Sequence, residues 1–286
     1  MTQFVSFLRL RALPLCVVVV LSSCGPAAEP VYDDELGLQA VPIAEGSLSG
    51  TFALKVVAAS LVRIPIPGID DQLGGGVNYR LVQRQWDAEQ GHYQQTSQLC
   101  GGYNFEVAGV NTAVPAETYR LVPDSVAEQV FVDHEQGTYR STGHVQLWGI
   151  NLPDPLNSPL PADALEAEES PHRERIYDMD EDEQPGITLK VSGLVTGEVW
   201  AVQRKKVDLE GLVVEPDRML GLSLNFYESV VLGDDIPLYD ANMGSTERWP
   251  DPKESWFEEV RIEDGSDCDD VMGAEARGIL TRLRPF

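Results

Sequence analysis

Three aspartates alternate in the run Asp178-Met179-Asp180-Glu181-Asp182, and Gln184, Pro185 and Gly186 follow closely. Alternation in a tight loop turns several carboxylate oxygens to one side. A hard cation such as Ca²⁺ requires that arrangement, because it takes six to eight oxygen ligands. Asp178, Asp180, Asp182 and a carbonyl of Gln184 form the expected ion site, with a solvated acidic linker as the alternative. A second acidic knot, Asp264, Asp267, Asp269 and Asp270 around Cys268, offers a weaker site of the same kind. Nucleophilic catalysis finds little support. Gly221-Leu222-Ser223-Leu224-Asn225 lacks the final glycine of a nucleophile elbow, and His92, His134, His144 and His172 lack metal-ligand spacing. A carboxylate pair for glycoside hydrolysis carries no weight, since 46 acids always contain some suitable pair.

The acidic run resembles the D-x-D-x-D loops of calcium-binding modules. It departs from an EF-hand at position six, where Glu183 stands in place of glycine, and at position twelve, where Leu189 replaces a bidentate glutamate. An EF-hand proper is rejected, and a looser calcium loop is expected.

Cysteine chemistry fixes an address. Arg9 and Arg11 precede an apolar segment that ends in Leu21-Ser22-Ser23-Cys24, the order of a secretory signal. Arg9, Arg11 and Pro14 interrupt the run below the roughly 18 residues that a membrane span needs. The block resembles the lipobox of bacterial lipoproteins. That resemblance implies cleavage before Cys24, diacylation of its thiol and acylation of the new amino terminus. Several chains anchor far more firmly than one, because each buried methylene adds about 0.8 kcal/mol. Gly25 after the cysteine is similar to outer-membrane-directed lipoproteins, periplasmic or surface-exposed. The wider resemblance is to envelope lipoproteins of myxobacteria and other Gram-negative lineages, and it transfers no activity.

Cleavage removes two arginines and no acid, so 21 basic and 46 acidic side chains become 19 and 46, a net charge of 19 − 46 = −27. Nucleic acid is therefore excluded as a partner. Anionic head groups would also repel such a chain, which leaves acyl chains to hold it to the membrane. No protein or glycan partner is specified. Cys16 leaves with the signal, and Cys24 is the acylated residue. Cys100 and Cys268 remain for one disulfide in an oxidising compartment, with two free thiols as the alternative.

The elements that must position these groups read as mainly β. Leu48, Phe52, Leu54, Val56, Ala58, Val62, Ile64 and Ile66 all fall on even positions, the period of a half-buried strand. Strand-like runs follow at 77–86, 92–99, 103–107, 119–122, 129–134 and 138–150, resume over 187–232, and end in an expected closing strand at 278–283. Residues 233–277 read as loop-rich, and 161–169 as a short helix. Trp249, Trp256 and Phe257 are expected to cap an open end of the β core. An offset of 193 − 46 = 147 aligns GSLSGTF with GLVTGEV and pairs Gly46 with Gly193, Gly50 with Gly197 and Asn78 with Asn225. The expected layout is a signal peptide (1–23), a tether (24–45), a first β half (46–150), an acidic proline-rich linker (151–185) and a second β half (186–286). The sheets are antiparallel and form a barrel or sandwich of two pseudo-symmetric halves. A single lipocalin-like barrel is the alternative, on the resemblance of Gly50-Thr51-Phe52 to that family's first strand. The expected function is a non-catalytic binding or structural module of the envelope, stiffened by Ca²⁺. The rival is an exported hydrolase with acidic residues in a cleft between the halves.

Overall fold

In the computed structural model, which describes residues 36–63, 70–236, 245–284 and 286, Leu48, Phe52, Leu54 and Val56 of the alternating run turn into one core, and Ile64 and Ile66 lie outside the described residues. Cys24, the signal and residues 24–35 of the tether lie outside the described residues. The strands are β1 (Gly50–Arg63), β2 (Gln72–Asp87), β3 (His92–Asn104), β4 (Val110–Ala113), β5 (Ser125–Asp133), β6 (Thr138–Thr142), β7 (Gln146–Trp148), β8 (Ile187–Gly193), β9 (Gly197–Glu215), β10 (Arg218–Asp234), β11 (Ser245–Arg248) and β12 (Trp256–Arg261). Three short helices accompany them, α1 (Ala116–Leu121), α2 (Ala164–Ala167) and α3 (Cys268–Met272).

Pairing runs β12-β1-β2-β3-β5-β6-β9-β10, and β10 returns to β12, so eight antiparallel strands close a ring. Where the ring is closed, its strands are paired on both sides and lack the free edge that templates aggregation. The long strand β9 acts as a spine. One of its edges takes β6 at Leu209–Leu212, β7 at Gln203–Lys205 and β8 at Gly197–Ala201, while the other takes β10 along most of its length. Phe52, Leu54 and Val56 of β1, Val82 of β2, Tyr93 of β3, Leu209 of β9 and Phe257 of β12 share the core inside the ring. Ala53, Val57, Tyr79, Leu81 and Trp256 point outward and are covered by α3 and the chain after it. Val41 and Ile43 also pack on the inner core, their amides donating to Val213 O and His134 O.

The hairpins β1–β2 and β9–β10 are the segments that the 147-residue offset aligns. Gly50 and Gly197 begin their strands at φ 137° and 157°, values that favour glycine. Their registers differ. Gly50 pairs with Arg84, a sum of 134, and Val202 pairs with Val230, a sum of 432. Twice the offset added to 134 gives 134 + 294 = 428, so the second hairpin is displaced by four residues. An even displacement keeps the same side chains facing inward.

Three expectations fail locally. Residues 119–122 belong largely to α1 rather than a strand, because burial of Thr118 and Tyr119 against β3 overrides their β propensity. The segment 278–283 turns back over the outer core with Leu280 at 2% exposure, and it is β12, inside the loop-rich region, that closes the ring. Its sequence, Trp256-Phe257-Glu258-Glu259-Val260-Arg261, reads as surface because two glutamates interrupt it, yet both are fully buried against arginines. Trp256 and Phe257 accordingly sit on the outer and inner faces of β12, not at an open end. The expected short helix appears as α2, where the Asp163 side chain accepts from Glu166 N at 2.9 Å.

Residues 151–185 are pinned to the ring. Arg204 Nη1 donates to the carbonyls of Pro155, Leu156 and Ser158 at 3.1, 2.9 and 2.7 Å. Cys100 and Cys268 form a disulfide with their Cα atoms 4.9 Å apart. Cys100 is the bulged residue of β3, between the pairs Tyr79–Gly101 and Arg80–Leu99, so the bridge ties an irregular point of the ring to the start of α3.

Candidate functional site

The acidic run forms a closed loop between the bridges Ile150–Ile176 and Asp178–Gly186. Asp178 Oδ1 and Oδ2 accept from the amides of Asp182 (3.3 Å) and Glu183 (2.9 Å), and Asp182 Oδ1 accepts from Gln184 N (2.9 Å). These bonds wind the loop so tightly that Glu181 and Glu183 adopt φ of 60° and 72°. Glu183 thus takes the left-handed conformation for which a calcium loop uses glycine at position six. One oxygen from each of Asp178, Asp180 and Asp182 lies within 4.8 Å of the others, a spacing that can hold a metal ion. Asp180 is the most enclosed. Its Oδ2 accepts from Thr188 N at 2.8 Å, and its Oδ1 is buried without a hydrogen-bond partner. Burial is the main cause that holds its carboxyl above the usual range, and the charges of Asp182 and Asp178 add to it. Gln184 contributes its backbone amide to the loop. The second acidic knot serves other ends. Asp267 caps α3 with Asp270 in a capping box, Asp269 pairs with Arg120, and Asp264 accepts from Thr51.

The interior of the ring carries polar groups that the sequence does not advertise. Arg84 follows the inward-facing Val82 by two residues. Its Nη2 meets Glu259 Oε1 at 2.5 Å, Gln95 Oε1 at 2.7 Å and the Tyr139 hydroxyl at 3.0 Å, and Tyr139 donates to Glu259 Oε2 at 2.8 Å. Both charged side chains are fully buried. Burial would lower the Arg84 guanidinium, but the charges of Glu259 and Tyr139 outweigh it and raise the group. Nη1 alone lacks a partner.

Arg80 precedes Val82 by two residues and therefore faces the same space. It is 7% exposed and forms no ion pair among the described residues. Nη2 donates to Gln146 Oε1 at 2.8 Å and Nη1 to Ser97 Oγ at 3.3 Å, while Nε is buried without a partner. Burial lowers this guanidinium, opposed only in part by Glu128. Gln146 pairs with Lys205 across β7 and β9, and Trp148 with Gln203. The Lys205 ammonium stands 4.0 Å from the Trp148 ring centre and 5.6 Å from that of Tyr227, with no carboxylate at ion-pair distance among the described residues. Burial and then Arg80 pull it down to about 7. Gln146 Nε2 and Trp148 Nε1 are buried without acceptors, as Gln203 Oε1 is without a donor.

Tyr227 is 46% exposed by surface area, yet burial raises its hydroxyl above the usual value. Tyr227 pairs with Lys205 and shares the inward phase of that residue, so an inward ring that solvent reaches marks an opening at this end. The strands explain the recess. β1 leaves β12 after Val57 to pair with β11, and β10 leaves β12 after Leu222. Beyond those points β1 and β10 do not pair with each other among the described residues. The inward positions of β1, β2 and β10 there are small or polar, such as Ala58, Ser60, Gly76, Asn78 and Asn225, while Leu99, Trp148 and Ala201 pack with Tyr119 and Ile187 on the opposite wall.

Two external clefts lie elsewhere on the surface. One, of about 590 Å³, is lined by Asp217, Arg261 and Arg277, but Arg261 is bound to the carbonyls of Ser47 and Ser49 and Arg277 to Asp270. The other, of about 620 Å³, lies over Gln83, Gln85 and Gln94. Sequence reasoning placed the disulfide and the aspartate triad, and it missed Arg80, Lys205, Gln146 and Trp148. A usable signal existed, since Arg80 and Arg84 occupy the same even phase of β2 as Val82. Comparison of the chain with protein-family models, curated proteins and solved structures yields no match.

Proposed function

We propose that the chain is an exported, lipid-anchored binding module of the bacterial envelope, acylated at Cys24 and non-catalytic, whose acidic loop takes Ca²⁺. The observation that carries the export reading is the Cys100–Cys268 bridge, because disulfides persist in oxidising compartments and are rare in the cytosol. The binding reading is supported by a ring filled at one end and recessed at the other. Ca²⁺ is the ion favoured by an all-oxygen donor set in which Asp178, Asp180 and Asp182 lie within 4.8 Å. It would give Asp180 Oδ1 a partner and relieve the repulsion among the three carboxylates.

Globomycin, which blocks lipoprotein signal cleavage, is expected to make the precursor accumulate in the expressing bacterium. Unchanged processing in its presence would overturn the lipid anchor. Removal of Ca²⁺ by a chelator is expected to lower the melting temperature of the wild type by several degrees and to leave Asp180→Ala unaffected. Identical melting with and without chelator in both proteins would discard the ion.

A further inference from the structure

We propose that the recessed end of the ring binds a small organic carboxylate, its anion received by Arg80, Gln146, Trp148 and Lys205 and its apolar body laid against Tyr227. The inference rests on the reading of the chain as a binding module and names the ligand chemistry of its recess.

Four groups connect without a break. Arg80 bonds Gln146 at 2.8 Å, Gln146 faces Lys205 in register, and Lys205 lies 4.0 Å over Trp148. All four are donors. Arg80 Nε, Gln146 Nε2 and Trp148 Nε1 are buried with no acceptor, and their residues are 7%, 4% and 0% exposed. Amide orientation does not remove the surplus. Arg80 can only donate, so Gln146 must turn its oxygen toward Arg80 and its nitrogen away. Gln203 Oε1, on the strand position paired with Trp148, is a buried acceptor without a donor.

Charge points the same way. Arg80 and Lys205 are two enclosed cations with no carboxylate at ion-pair distance among the described residues, in a chain that carries 46 acids. A buried charge persists where something pairs with it. A guanidinium with neighbouring N–H donors matches a carboxylate, whose two oxygens accept several hydrogen bonds at once. The rings of Trp148 and Tyr227 beside the ammonium supply the apolar surface that distinguishes an organic anion from an inorganic one.

Benzoate, phenylacetate and octanoate, each set against its neutral amide and against inorganic phosphate, provide the test with the mature protein. Tryptophan fluorescence is expected to respond saturably to at least one carboxylate, whose amide binds at least about tenfold more weakly, as loss of charge-assisted hydrogen bonds requires. Arg80→Met and Lys205→Met are each expected to weaken that carboxylate about tenfold or more, and circular dichroism checks their folding. In the unaltered protein, the same carboxylate should protect Lys205 from acetylation, read by mass spectrometry, so the test survives even if a variant misfolds. An amide or phosphate that binds equally well would overturn the carboxylate and leave the binding module standing. Tight carboxylate binding that survives both substitutions with Lys205 unprotected would overturn this location. Binding of no compound tested would overturn the carboxylate site, while the lipid anchor and the ion loop stand or fall by their own experiments.

Discussion

Arg84 and Arg80 stand four residues apart on one strand and face the same interior, but only the first has a counter-ion there. At the filled end Arg84, Glu259, Tyr139 and Gln95 form a network in which both charges are paired and fully buried. At the recessed end Arg80 and Lys205 lie close to one another among aromatic, amide and hydroxyl neighbours, and the carboxylate that bears on Arg80, Glu128, reaches it only through Ser97. The two ends thus differ in how charge is compensated, not in how much polar material they hold. A network closed on itself specifies a fold, and a network left with spare donors is available to a ligand.

That contrast breaks most sharply under substitution. Glu259→Ala is expected to destabilise the protein by about 3–5 kcal/mol in urea unfolding, since it strands a buried guanidinium. Arg80→Met removes a cation that has no carboxylate at ion-pair distance among the described residues, and its loss should stay within about 1 kcal/mol. Equal losses in the two variants would erase the distinction between the ends.

The same contrast is sharpened through pH. Lys205 is pulled down to about 7 in the folded protein from 10.5 when free. Between those values the unfolded chain binds the proton and the folded one does not, so stability rises as pH increases from about 7 toward 10. The penalty is present in full below pH 7. Above pH 10 the sign reverses, because burial raises Tyr119 to about 12 and Tyr139 well above its usual value. Folded tyrosines then keep protons that the unfolded chain releases. Lys205→Met is expected to remove the rise between pH 7 and 10 and leave the fall above it, read from melting temperatures across that range. A rise that persists in the variant would assign it to another group.

Legibility followed periodicity. Phe52, Leu54 and Val56 announced an inward face through their spacing, and every one of them is in the inner core. β12 was hidden because Glu258 and Glu259 read as surface acids, and only their partners Arg218 and Arg84, distant in sequence, make those positions interior. The acidic loop was visible because its three carboxylates are local. Its left-handed Glu183 was not, since that conformation is set by hydrogen bonds to Asp178. Arg80, Lys205, Gln146 and Trp148 come from three strands, and no single stretch of chain shows them together.

From the order of residues alone came the β character, the inward phase of the strands, the pairing of Cys100 with Cys268 and the alternating aspartates. Each depends on local period, on elimination among four cysteines, or on neighbours in the chain. Tertiary structure decided that the ring closes through β12, that its interior is packed at one end and recessed at the other, and which buried charges are paired. The physical reason is that a counter-charge acts through distance in space, and Arg84 finds Glu259 only when strands 175 residues apart enclose the same volume.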